Sequence, residues 1–264
     1  MNNLFELIAK HKNNINEEKV KLLAPIEKGD CTSVEDLLIL YALILENKPK
    51  YIVEFSPMLG YSTCWLASAM KEIGRKHCMF SVEQNTSYFN RATKRIKNAG
   101  LSEYCDVLHG NALDVVPKII IERKWENQVG LAFIDSSHTK NFANQYIQKI
   151  FPLLSSCLAM VHDIAVDNNK FNNQDDIHVP FFCPMDREDK KEKYKEYVAL
   201  QDYLQNKQWI LTSYICGNIP FCLEPAQRTG LFYSEINTLI GFDFLQYLNW
   251  VSPLGLLFRI ENKT

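Results

Sequence analysis

Five short apolar runs each end on residues able to bind or react: Glu54, Glu83, Gly110-Asn111, Asp135 and His162-Asp163. Glu83 follows Glu54 by 29 residues, and Asp163 follows Asp135 by 28. In open α/β sheets, ligands bind beyond the carboxyl ends of the strands, so these positions are the first candidates for a site. His138 stands three residues after Asp135. A histidine near neutrality suits proton removal at pH 7, and the competing reading is a histidine that ties its loop to a carbonyl. His162 is expected on the opposite side of its strand from Asp163, in the core or behind the site. His178 is as well explained by solvation as by substrate contact.

These residues need elements to hold them. Thr32-Ser33-Val34-Glu35 reads as a capping box before the apolar run 37–45, which predicts a helix from about Ser33 to Asn47. Strands are expected over 51–55, 78–83, 105–109, 130–135 and 158–162, and helices over 62–73, 85–99, 112–122 and 141–151. Parallel neighbours need a crossover between them, so this alternation predicts a doubly wound, mainly parallel α/β sheet. After Asp163 the rhythm breaks. The stretch 167–189, rich in Asn, Asp and Pro, reads as a lid or active-site loop. A charged helix over 190–206 follows, with 186–195 as its solvated face, and then strands over 209–215 and 256–260.

The order of these strand ends resembles the class I S-adenosylmethionine-dependent methyltransferases, in particular their small-molecule and sugar O-methyltransferase branch. The resemblance covers about 33–164 and is strongest in VEFSPMLGYSTCWLA (53–67) and FIDSSHT (133–139). It implies a Rossmann-like methyltransferase fold: an N-terminal helical segment (1–32), a cofactor-binding core (33–164), a lid or insert (165–208) and C-terminal strands completing the sheet (209–264), all one domain. It implies S-adenosylmethionine held by Glu54, Phe55, Ser56, Gly60, Tyr61 and Ser62 around the methionine portion. Glu83 and Gln84 would lie at the ribose, and Asn111 and Ala112 against the adenine, with Asp135 beside the cofactor. It also implies His138 and Asp135 as catalytic residues, and Asp135 with Asp163 as ligands of Mg2+ or another divalent cation. The related metal-dependent branches carry a third ligand where this chain has Ile164. Two further departures stand out: Ser56 and Met58 replace the usual turn glycines, and Asn111 replaces the usual aspartate. The absence of G-x-G-x-x-G argues against a nicotinamide dehydrogenase.

By resemblance the reaction is methyl transfer to a small polar acceptor, a hydroxyl of a sugar or nucleotide-linked sugar first. The alternatives are N-methylation of a small amine, phosphorylated or not, and an inactive methyltransferase-like binding module. Composition agrees with a small-molecule partner. The formal charge of −2 argues against nucleic-acid coating and polybasic membrane binding, and 47% apolar with 23% charged residues is ordinary for a globular domain. The longest apolar stretch, nine residues over 37–45, is too short to span a bilayer. No signal peptide is expected, and the eight scattered cysteines read as reduced core residues of a cytoplasmic protein. A homodimer is the assembly considered.

Overall fold

The computed structural model describes residues 4–16, 19, 23, 34–154, 156–162, 165–166, 177–178, 196, 199–200, 203 and 256–260. Two helices, α1 (Leu4–Lys10) and α2 (Val34–Asn47), precede the alternating core. That core runs β1 (Tyr51–Phe55), α3 (Tyr61–Glu72), β2 (Met79–Glu83), α4 (Thr86–Asn98), β3 (Asp106–His109), α5 (Ala112–Glu122), β4 (Val129–Ile134), α6 (Lys140–Lys149) and β5 (Cys157–Val161). Short strands β6 (Ala165–Val166) and β7 (Ile177–His178) pair antiparallel with each other. β8 (Leu256–Ile260) joins the main sheet, whose order is β3-β2-β1-β4-β5-β8. β1 to β5 are mutually parallel and β8 runs antiparallel to β5. The expected architecture holds. The expected strand over 209–215, and the lid stretch apart from 177–178, lie outside the described residues. The β6/β7 pair was not expected, because two-residue strands leave no readable period.

Both faces of the sheet are covered, and the strands show it by alternation. Ile52, Met79, Leu131, Phe133, Leu158 and Met160 pack into a core with α1 to α4. Val53, Phe55, Phe80, Val82, Ala132 and Ile134 pack into a second core with α5, α6 and Leu200. Side chains two apart share a face. Glu54 therefore falls on the Ile52 side with Ser81, beneath α3. Ten consecutive residues of α3, 61–70, are buried, because that helix lies between the sheet and α2.

Three helices start on a side-chain cap: Asn85 accepts from Tyr88 N, Asn111 from Leu113 N and Thr139 from Phe142 N. This accounts for Asn111, since Asn caps a helix as well as Asp does. α3 has no such cap and begins at Gly60, whose φ is 77°. A Cβ at Gly60 would lie 2.9 Å from Ala92 Cα, on the backbone of α4. Gly60→Ala is expected to lower stability by about 2 kcal/mol, from left-handed strain and the clash together. Urea denaturation checks this; an unchanged midpoint would show that α3 and α4 can part freely.

Candidate functional site

The strand order reverses direction between β1 and β4, and a cavity of about 300 Å³ opens there at the carboxyl ends of the strands. Ser56, Gln84, Asn111 and Ala112, all expected at the cofactor, line it, joined by Ser136 and Gln145. Its lining carries no charged side chain among the described residues.

The turn after β1 keeps its shape without its glycines. Ser56 and Met58 adopt φ of 57° and 49°, a left-handed conformation costing roughly 1 kcal/mol or more per non-glycine residue. Neighbouring hydrogen bonds hold it there. Ser56 N donates to Val82 O at 2.9 Å, and Ser56 Oγ donates to Ser136 Oγ at 2.9 Å. Met58 N donates to Glu83 Oε2 at 3.0 Å, and Gly60 N to Pro57 O at 2.7 Å. Glu83 also accepts from Asn85 N at 2.8 Å, so this strand-end acid joins the β1 turn to the start of α4. A carboxylate has about four acceptor directions, and these two bonds leave others available.

The remaining expected residues lie in different surroundings. Glu54 is fully buried, and its carboxylate accepts from Ser62 Oγ at 2.6 Å, Thr63 Oγ1 at 2.7 Å and Ser81 Oγ. Burial pushes its pKa from the ordinary 4.5 to about 7, against the opposing effect of the three hydroxyls. Glu54 and Ser62 thus bind each other, fastening α3 to β1 and β2. Phe55 is core, edge-on to Tyr146 at 6.4 Å. Tyr61 is buried at the start of α3 with the Arg95 guanidinium 5.1 Å from its ring centroid.

Beyond β4 a chain of polar groups follows. Asp135 Oδ1 lies 3.3 Å from His162 Nδ1 and 3.8 Å from His138 Nε2. His138 Nδ1 lies 2.9 Å from Glu196 Oε2, and Tyr146 Oη donates to Glu196 Oε1 at 2.9 Å. His162 and Glu196 are buried. Burial raises the Glu196 carboxyl above its usual range, opposed by His138 and Tyr146. His162 is edge-on to Phe133 at 6.1 Å, behind Asp135 as its position in the strand suggested.

Residues 57–164 match the methyltransferase domain family. Over these residues the chain is similar to methyltransferase domains. A catechol O-methyltransferase from Niastella koreensis is 33% identical over 73 residues, 28% of this chain and 32% of that protein, so the chain spans about a third of that relative's length. Among solved structures, an O-methyltransferase from Bacillus cereus in complex with SAH has a TM-score of 0.52 at 18% identity, over 78% of this chain and 82% of that one. The O-methyltransferase TomG from Streptomyces achromogenes, involved in tomaymycin synthesis and in complex with SAM, gives 0.52 at 18% identity over 77% and 89%. A cofactor-bound protein from MTB gives 0.55 at 16% identity over 92% and 87%. At these identities the likeness is one of fold.

A neutral cavity at the strand ends, with Glu83 beside the turn, is chemically apt for an adenosine-bearing ligand. Asp163 lies outside the described residues. Among those described, no group of three or more His, Cys, Asp or Glu could hold a metal ion, and Asp135 Oδ1 lies within 3.8 Å of ring nitrogens of two histidines.

Sequence reasoning missed Glu196 and Tyr146. Glu196 directly follows the charged run read as a solvated face, yet it shares spacing i, i+3, i+4 and i+7 with Ala199, Leu200 and Tyr203. That period marks a buried stripe. No helix among the described residues is long and apolar enough to cross a membrane.

Proposed function

We propose that this domain methylates a hydroxyl of a small, uncharged polar acceptor, with sugars as the first class to screen. The observation that carries this is the position of His138. Its neighbours Ser137 and Thr139 both line the cavity, while its ring stands between the carboxylates of Glu196 and Asp135. A histidine so flanked suits removal of a hydroxyl proton, because the carboxylates favour the imidazolium that results. S-adenosylmethionine, when bound, would supply a sulfonium methyl group. Glu83, Gln84, Asn111 and Ala112 would hold its adenosine part, and the turn 55–60 its amino-acid part. Hydroxyl and amide groups from Ser136, Ser137, Asn141 and Gln145 suit a polyhydroxy ligand better than a phosphorylated one, which would want a cation.

Calorimetry with S-adenosylhomocysteine, followed by labelled-methyl transfer to a panel of sugars, sugar nucleotides and amines, tests the reading. Saturable binding is expected, and Glu83→Gln is expected to weaken it roughly tenfold by removing a charge-assisted acceptor. No binding to wild type would sink the methyl-transfer reading. Transfer only to amines would refute the hydroxyl, and binding without transfer to any acceptor would favour a binding module.

A further inference from the structure

We propose that Glu196 is a positioning residue: it fixes the tautomer of His138 so that Nε2, on the Asp135 side, is the basic nitrogen. A carboxylate only accepts, and Glu196 Oε2 lies 2.9 Å from His138 Nδ1, so the ring proton belongs on Nδ1. The other carboxylate oxygen takes the Tyr146 hydroxyl at 2.9 Å, which fixes the carboxylate from its far side. The backbone repeats the connection, since Glu196 N donates to His138 O at 3.3 Å. Helix residue 196 and the loop between β4 and α6 are therefore joined twice, once through the histidine ring and once through its carbonyl.

At the other end of the ring, Nε2 is 3.8 Å from Asp135 Oδ1, beyond direct hydrogen-bond length. Asp135 lies closer to His162, with Oδ1 3.3 Å from His162 Nδ1. The two carboxylates thus do different work. Glu196 bonds the imidazole, and Asp135 adds negative charge near the nitrogen that takes the proton. In proton transfer, the acceptor O–H bond breaks, its proton passes to Nε2, and the resulting imidazolium carries protons on both nitrogens between the two acids. With the opposite tautomer Nε2 would already bear a proton and could take none.

The catalytic part of this assignment rests on His138 being the proton acceptor; the tautomer does not, and it can be read without a substrate. The test is the nitrogen spectrum of the full chain labelled with 15N-histidine, His138 being assigned by loss of its signals in His138→Gln. Wild type is expected to show neutral His138 protonated on Nδ1 alone. Glu196→Gln, whose amide can accept or donate, is expected to give a mixture, and Glu196→Ala the Nε2-protonated form that free imidazole side chains prefer. Tyr146→Phe should leave the tautomer as in wild type. If the Ala variant does not fold, the near-isosteric Gln variant still decides. In a methyl-transfer assay, kcat is expected to fall roughly ten- to a hundredfold in Glu196→Ala, with partial recovery in the Gln variant and unchanged S-adenosylhomocysteine affinity. An Nε2-protonated wild type, or one tautomer common to wild type and both Glu196 variants, overturns the proposal. The expected tautomers in a chain that transfers no methyl group would uphold the positioning and sink the catalytic reading instead.

Discussion

His138→Ala is expected to lower turnover by roughly 10²- to 10⁴-fold, the range a positioned general base contributes, while S-adenosylhomocysteine binds as it does to wild type. Separation of the two effects follows from where the ring sits. His138 contacts Glu196 and Asp135, whereas the residues assigned to the cofactor lie at the ends of β1, β2 and β3. The cavity wall should survive the substitution, because Ser137 and Thr139 line it and Thr139 also caps α6 through Phe142 N. Single-turnover methyl transfer to an identified acceptor, with calorimetry alongside, measures both quantities. Turnover within threefold of wild type would remove His138 from the reaction, leaving positioning of the acceptor as the main source of rate.

The sheet and its crossovers were legible because they rest on repeating patterns. Alternation along each strand assigns its residues to one of two buried faces, and the helical stretches between the strands supply the crossovers. Strand-end residues were legible for the same reason, since a register fixed by burial also fixes which residue comes last. What a strand end offers does not say which way it faces. Glu54 was expected among cofactor groups, yet its parity with Ile52 puts it beneath α3 with three hydroxyls. The same parity was available beforehand and was outweighed by the motif around it. Glu196 was hidden differently. Its partner His138 is 58 residues away, and no local period reports a contact formed by folding a distant helix onto the β4 to α6 loop. The left-handed turn at Ser56 and Met58 was hidden too, because residue type argues against it; hydrogen bonds donated by Ser56 N to Val82 O and by Met58 N to Glu83 outweigh the local preference.

Glu54→Gln is expected to abolish a stability loss of about 3 kcal/mol that wild type suffers as pH rises from about 4.5 to about 7. In the folded chain the Glu54 pKa is raised to about 7 from the ordinary 4.5, so across this window the folded state binds more protons than the unfolded chain. Linkage then makes the free energy of unfolding fall with rising pH, at about 1.4 kcal/mol per unit, until Glu54 is ionised in both states. Stability from this residue is full below the unfolded pKa and lost by the time pH exceeds the folded one. Burial is the largest cause and the Asp135 charge adds to it, while Ser62, Ser81 and Thr63 partly compensate. Glutamine keeps the shape and can exchange hydrogen bonds with all three hydroxyls, which rotate to suit, yet it never ionises. The variant should therefore be more stable than wild type at pH 8 and similar to it at pH 4.5. Urea denaturation at both pH values gives the comparison. Parallel wild-type and variant curves across that range would show that water or relaxation of α3 solvates the carboxylate in solution.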